Sequence, residues 1–192
     1  ALLAALERGL RRTWRRTTAA AIAGVVLLGA GAGAWRTWDI ARQEDACAAA
    51  GHALDAVWSD EARSRLRAAF AATGQRDAAT SAEKVVPWLD EQAAAWTSAR
   101  TEVCLNSGVR GLWSEDLRGR ATACLADRQR VFAALVSEFE QASAATVHKS
   151  VIAVANLRPV DECLDEDSLR RQPMPPPGVD AAIQGVQTAL SQ

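Results

Sequence analysis

The chain has 192 residues, of which 22 are basic and 23 acidic, and its formal net charge is −1. The first 16 residues carry +4 and the remainder −5. A mildly acidic remainder excludes the clustered basic surface of a nucleic-acid-binding domain, so no nucleic-acid partner is expected. Abundant alanine, which has the best helix propensity, and few β-branched runs predict an all-α fold.

Residues 1–16 have leucines at helical spacing: Leu2, Leu3, Leu6 and Leu10. The chain starts at Ala1 and within this helical pattern. We therefore expect residues 1–16 to be a cytoplasmic juxtamembrane segment within a longer polypeptide. A processed N-terminus is the alternative.

A run of 19 residues without charge extends from Thr17 to Trp35. A bilayer core requires roughly 20 mainly apolar helical residues, so a transmembrane helix is predicted over 17–38. Basic residues precede the run and tryptophans flank it, as in membrane anchors. The predicted anchor residues are Arg11, Arg12, Arg15, Arg16, Trp14, Trp35 and Trp38. Because basic flanks stay inside, the chain is predicted to be a single-pass inner (cytoplasmic) membrane protein, with residues 39–192 outside.

Two features of the run allow further interpretations. Gly29 and Gly33 form a small-xxx-small pair, which would allow a helix-dimer face and a homodimer. The favoured interpretation is that glycine is simply common in membrane helices. Ala32-Gly33-Ala34 also matches the cleavage site of a secretory signal, which is the competing interpretation of residues 1–35.

Residues 39–172 are predicted to form one extracytoplasmic antiparallel helical-bundle domain, stabilised by disulfides. Its first helix covers Asp39–Trp58, where apolar residues recur every three or four positions. Ser59 is the predicted N-cap of a second helix, which ends at Thr73-Gly74.

A third helix is predicted to follow the capping-box pair Thr80 and Glu83. Pro87 interrupts its start, so either the helix kinks there or the main helix begins with Pro87 in its first turn. Asn106-Ser-Gly108 ends it. The inward-facing residues are predicted to be Val85, Val86, Leu89, Trp96, Val103 and Cys104.

Ser114 is the predicted cap of a fourth helix, which has the strongest amphipathic pattern of the domain. Its inward stripe is Leu117, Ala121, Cys124, Leu125, Arg128, Phe132, Leu135 and Phe139. A fifth helix near Ala144–Ala155 uses Val147, Val151 and Val154, and Pro159 marks the turn beyond it.

The pattern changes after residue 172. Residues 173–178 are a proline-rich linker, predicted to adopt polyproline II. Residues 179–192 show a new amphipathic period that is too short to fold alone. They are predicted to be the start of a following helical repeat domain.

All four cysteines, Cys47, Cys104, Cys124 and Cys163, follow the predicted span. None lies in a C-x-x-C pair, which excludes zinc-ribbon and thioredoxin-like motifs. An even number outside the cytoplasm indicates two disulfides, with four reduced buried thiols as the alternative. The return of the fifth helix along the fourth brings Cys163 toward Cys124 or Cys104. We favour Cys124–Cys163, which leaves Cys47–Cys104.

No pattern in the sequence indicates catalysis, and no cofactor or metal site is expected in this segment. His52 and His148 are isolated from any nucleophile. Acidic residues cluster at 161–167, but the spacing lacks the glycine and terminal glutamate of an EF-hand, so a solvated turn is favoured over a cation site. Trp113 is expected to pack over a helix end, with a recognition surface as the alternative.

Several short motifs together resemble one family. They are Ala1–Arg8, Cys47 with Trp58, Leu66–Gly74, Trp96 before Thr101-Glu-Val-Cys104, Ser114–Arg118, Ala123–Arg128 and Leu157–Cys163. With the basic stretch, the single span and the proline-rich linker, they resemble the region after the catalytic domain in myxobacterial receptor-type serine/threonine protein kinases with C-terminal tetratricopeptide repeats.

The resemblance implies that a parent protein phosphorylates proteins with ATP and magnesium in the cytoplasm. This segment would supply the membrane passage and an outside sensor or interaction domain for a protein or peptide partner. Three alternatives remain: a structural spacer that presents the repeats, a secreted helical binding domain behind a signal peptide, and an independent secreted enzyme.

Overall fold

The computed structural model describes residues 29–171 of the chain. The chain divides into two compact units, Ala1–Asp45 and Ala46–Gln192. In the first unit the described residues, 29–45, are helical. In the second unit the described residues form helices and turns without a strand. The predicted all-α class is therefore confirmed over the described part of the chain.

The second unit begins with helical residues 46–51, which we call α1. The elements that follow are the 3₁₀ turn His52–Ala56, α2 (Asp60–Ala72), α3 (Ala78–Cys104), the π-helical turn Leu105–Val109, α4 (Glu115–Glu140), α5 (Ala144–Ala155), the 3₁₀ turn Asp161–Cys163 and α6 (Glu166–Arg171).

Between residues 29 and 171, no helix is both long enough and apolar enough to cross a bilayer. The predicted span over 17–38 lies mainly outside this range. The predicted juxtamembrane segment 1–16, the linker 173–178 and the last helix over 179–192 also lie outside the described residues.

The core of the second unit forms where α2, α4 and α5 pack against α3. Aromatic side chains join the elements edge to face. The ring centroids of Trp58 and Phe132 are 6.1 Å apart, and those of Phe70 and Phe139 are 5.6 Å apart. Such pairs stabilise a core beyond the apolar area they bury.

The predicted starts of α2 and α4 and the predicted end of α2 are confirmed. The Ser59 hydroxyl accepts a hydrogen bond from Ala62 N at 3.4 Å, and Ser114 accepts one from Leu117 N at 3.3 Å. These bonds satisfy backbone donors that a helix start leaves without a partner. Gly74 follows α2 with φ +69°, a left-handed conformation that glycine adopts without strain.

The prediction that the first helix continues to Trp58 is wrong. The α-helix ends at Gly51, and a tighter turn then brings Leu54 and Trp58 into the core. Gly51 lies so close to α3 that an added Cβ would be 2.5 Å from Thr101 Oγ1 and 2.9 Å from Thr97 O. This close approach sets the position of the chain before the 3₁₀ turn, which an apolar period alone does not reveal.

The predicted start of the third helix is also wrong. α3 begins at Ala78, without a side-chain cap from Asp77, and continues through Pro87. The buried residues Ala78 and Ala82 explain the difference, because tertiary packing adds a turn before the capping-box pair. Pro87 lies on the exposed side of α3, where water can reach the carbonyl that its ring leaves without a helical donor.

Two predicted stripe positions shift. In α5 the buried residue is Ser150 and Val151 is exposed, because the Ser150 hydroxyl donates to Val147 O at 2.8 Å and so needs no other partner. In α4 Val136 is fully buried, whereas Leu135 is only partly buried.

Both favoured disulfides are present. Cys47 bonds to Cys104, with Cα atoms 5.4 Å apart, and Cys124 bonds to Cys163, with Cα atoms 5.6 Å apart. The first joins α1 to the end of α3, and the second joins α4 to the turn before α6. The described part of the chain has no free cysteine.

Peptide mapping of the full chain without reduction is expected to recover the Cys47–Cys104 and Cys124–Cys163 pairs. The bridges close loops with separations of 57 and 39 residues. Replacing either pair by alanine should lower the free energy of unfolding by about 2–4 kcal/mol, mainly by freeing the unfolded chain. Four alkylatable thiols or another pairing would contradict the topology.

Two glycine substitutions are expected to have opposite effects. Gly51→Ala should destabilise by about 1–3 kcal/mol because its Cβ would overlap the α3 backbone. Gly119→Ala, at an exposed α4 position with no atom within 4 Å of the new Cβ, should stabilise by about 0.5–1 kcal/mol. Urea unfolding measures both. Equal effects of the two substitutions would contradict the close approach of α1 to α3.

Candidate interaction surface

The histidines do not build a catalytic set. His52 and His148 are exposed, and their Nδ1 atoms lie 3.0 Å from Asp55 Oδ2 and 3.5 Å from Asp77 Oδ2. Over residues 29–171, no group of three or more histidine, cysteine, aspartate or glutamate side chains is placed to hold a metal ion. These contacts are surface pairs on a helical scaffold.

Carboxylates of the acidic turn at 161–167 hold the turn in place. Glu162 Oε2 accepts a hydrogen bond from Arg128 Nη2 at 2.9 Å. Glu166 Oε1 accepts one from Trp113 Nε1 at 3.0 Å. Trp113 is partly buried against the core, as expected for a loop tryptophan packed over a helix end.

Asp165 stabilises the start of α6. Its Oδ1 accepts hydrogen bonds from the backbone N–H groups of Asp167 at 3.0 Å and Ser168 at 3.4 Å. The hydrogen bond from the Ser168 backbone is the main reason that the pKa of Asp165 lies below its ordinary value. The charged carboxylate thus belongs to a helix cap.

In the second unit Trp88 lies on the surface, whereas Trp58 and Trp96 lie in the core. Trp58 Nε1 donates to Asp90 Oδ1 at 2.7 Å, and Trp96 Nε1 donates to Leu125 O at 2.8 Å. Both side chains are buried. Trp88 is 49% exposed, and its indole donates no hydrogen bond within the described residues.

A groove of about 310 Å³ lies beside Trp88. The α3 wall includes Trp88, Glu91 and Gln92. The opposite wall includes Val154, Leu157 and Asp161, from the end of α5 and the chain that follows. The groove thus has apolar and charged residues on its walls.

Two hydrogen bonds hold the loop that forms the second wall. Gln92 Nε2 donates to Arg158 O at 2.9 Å, and Arg128 Nε donates to Pro159 O at 3.4 Å. Each bond ties the loop to a different helix, α3 or α4. The wall is therefore fixed by the fold itself.

The charge of the groove is negative. Glu91 and Asp161 line it, and no lysine or arginine does. Arg128, beneath the loop, is only 7% exposed and pairs with Asp127 at 3.3 Å and with Glu162 at 2.9 Å. Its charge is offset by these partners.

Exposed apolar residues on α5 adjoin the groove. Val151 and Ile152 are 36% and 66% exposed. They lie one helical turn before Val154 and Ala155, which line the groove, so they share its side of the helix. The apolar surface is thus larger than the groove alone.

This surface is not predicted by the sequence patterns. Trp88 borders the buried stripe of α3 that includes Val85 and Leu89, so the helical period alone does not decide its exposure. The position of Asp161 across the groove from Glu91 cannot be predicted from a helical period either, because it depends on the path of the loop after α5.

The predicted membrane residues are described only in part. Gly29 and Gly33 are helical and exposed, with no atom within 4 Å of an added Cβ. Trp35 and Trp38 are exposed with ring centroids 5.5 Å apart, and the Arg42 guanidinium lies 5.5 Å from the Trp38 ring centroid. The predicted anchor residues Arg11, Arg12, Trp14, Arg15 and Arg16 lie outside the described residues.

Comparison of the chain with protein-family models, with curated proteins and with solved structures found no match. The chemistry of the residues is therefore the basis for inferring a function.

Arg128→Met is expected to lower the free energy of unfolding by about 1–3 kcal/mol, because it removes the donors to Pro159 O and Glu162 while keeping an unbranched apolar stem. Hydrogen exchange should increase over 157–164. Arg130→Met, at a half-exposed position on the same helix, is the control and should change stability by less than about 0.5 kcal/mol. Similar losses for both variants would contradict a special role of Arg128.

Proposed function

We propose that this chain is the transmembrane and extracytoplasmic input segment of a receptor-type serine/threonine protein kinase. In this proposal residues 17–38 cross the inner membrane, residues 1–16 end a cytoplasmic kinase-like domain, and residues 39–192 lie outside. ATP and magnesium belong to the parent kinase domain. The linker 173–178 leads into tetratricopeptide repeats.

The observation that carries the proposal is the position of the disulfides. All four cysteines follow the uncharged run, and all four are bonded in the second unit. Disulfides persist in oxidising compartments and are rare in the cytoplasm. Together with the basic residues before the run, they support an outside location for the helical bundle.

The fold also offers a route by which an outside event would reach the membrane segment. Trp88 and Cys104 lie on the same helix, 16 residues apart in sequence, or about 24 Å along an α-helix. Cys104 is bonded to Cys47, close to the start of the second unit. A shift of α3 would therefore act at Cys47, from which the chain leads back to the predicted span.

A ligand that binds two arrangements of α3 with different affinity would shift their populations. In a receptor kinase, such a shift would alter the proximity or rotation of two membrane helices. Gly29 and Gly33 offer a face through which a pair of such helices would approach closely.

A reporter serine/threonine kinase domain fused before Ala1 tests the proposal. Deletion of residues 47–170 is expected to change its autophosphorylation by about fivefold or more, the lower range of allosteric coupling. The control is Gly119→Ala, which changes an exposed site on α4 and should leave phosphorylation unchanged. Unchanged phosphorylation after the deletion would favour a structural spacer instead.

Membrane orientation is checked in the same fusion. An impermeant maleimide should label Ser98→Cys, an exposed α3 position, and should not label Leu10→Cys in intact cells. The reverse pattern, or release of a soluble product cleaved after Ala34, would overturn the anchor.

A further inference from the structure

Trp88 is the most exposed tryptophan in the described part of the second unit. The rings of Trp58 and Trp96 are buried and their indole N–H groups have acceptors. Half of Trp88 faces solvent beside a groove. The face of an exposed indole attracts cations, because the ring quadrupole places negative potential above it.

Two carboxylates complete a site for a cation. Glu91 lies three residues after Trp88, so the two side chains are neighbours on α3. Glu91 makes no ion pair with any described residue. Asp161 Oδ1 accepts the N–H of Glu162 at 3.0 Å, which leaves its second carboxylate oxygen for a ligand.

No basic side chain lines the groove. Lys84 is one turn before Trp88 on α3, and Arg158 is in the loop, but neither lines the groove. Arg128 is paired with Asp127 and Glu162. A basic ligand thus meets a complementary surface.

The size and walls of the groove select the kind of ligand. A volume of about 310 Å³ is at the lower end for ligand sites and fits a single long side chain. Val154 and Leu157 offer apolar contact to an aliphatic stem, in the way that lysine and arginine stems pack on apolar surface. Exposed Val151 and Ile152 extend the surface for the residues on either side of such a side chain, which favours a peptide over a free amine.

We propose that the groove between α3 and the 157–161 loop binds an arginine or lysine side chain presented by a peptide segment of an extracytoplasmic partner. Trp88 packs against the cation, and Glu91 and Asp161 pair with it. The proposal names the partner chemistry of the input domain proposed above, and depends on that function only for the compartment.

The test uses the full chain in nanodiscs of neutral phosphatidylcholine and fluorine NMR of a trifluoroacetyl peptide, Ala-Leu-Arg-Ala-Leu-amide. The same peptide with citrulline in place of arginine keeps the shape and removes the charge. The arginine peptide should bind about fivefold more tightly than the citrulline peptide, and Trp88→Ala should remove a similar factor. Added salt should weaken binding of the arginine peptide.

Charge variants test whether the two groove carboxylates, and not the overall negative charge of the domain, bind the peptide. Glu91→Gln combined with Asp161→Asn should weaken binding of the arginine peptide by about threefold to tenfold. Glu138→Gln, an exposed acidic position on α4, and Leu112→Ala, an exposed apolar position outside the groove, should leave affinity unchanged. Far-UV circular dichroism checks that each variant keeps its helices.

Several results would overturn the proposal. They are equal affinity for the two peptides, unchanged binding in the Trp88 or double-acid variant, equally tight binding of N-acetylarginine amide alone, and self-association of the chain that Trp88→Ala abolishes. Peptide binding as described, with a reporter kinase that does not respond to deletion of 47–170, would reject the proposed receptor function while the groove assignment stands.

Discussion

The packing of α3 is the constraint on which the second unit depends. This 27-residue helix contacts α2, α4 and α5 as well as the turns before and after it. Its buried residues extend from Ala78 to Val103, so one continuous stripe organises the core along its length. Of the remaining helices, α5 contacts α3 more extensively than it contacts α4, whereas α2 contacts α3 and α4 about equally and α6 packs mainly against α4 and the turn before it.

Polar groups fix the helices around α3. Asp90, on α3, accepts hydrogen bonds from Trp58 Nε1 and Arg63 Nε, each at 2.7 Å, and so ties α2 and the chain before it to α3. Trp96 reaches Leu125 O on α4. A partly buried polar group without a hydrogen-bond partner costs free energy. These bonds therefore favour one arrangement of the helices, whereas apolar packing alone would allow several.

The disulfides and the groove occupy different parts of this frame. Cys47–Cys104 lies at the C-terminal end of α3, whereas Trp88 lies near its middle. A helix that carries the proposed groove site at one place and a covalent link at another would be a suitable element for transmitting a displacement. Both the Cys47–Cys104 bridge and Trp88 lie on α3, the helix that packs against the most other elements. Because its neighbours are closely packed, a local shift of α3 would be passed on to them.

Much of the helical layout could be predicted from local signals. Ser59 and Ser114 begin α2 and α4 because a serine hydroxyl accepts the first backbone N–H groups, and this needs no distant contact. The predicted helix boundaries are wrong where contacts with distant parts of the chain determine them. The first helix ends early at Gly51, and α3 begins before Thr80, because neighbouring helices bury residues there. Ser150 replaces Val151 in the core because its hydroxyl is satisfied within its own helix.

By itself, the sequence determined the all-α class, the caps of α2 and α4 and most of the apolar stripe of α4, since these follow from propensity and period. The order of the helices was also sufficient to favour the disulfide pairing that is present. Only the tertiary structure decided that Trp88, Glu91 and Asp161 line one groove. The reason is physical: Trp88 and Glu91 share α3, whereas Asp161 joins them through a loop path set by hydrogen bonds to α3 and to α4.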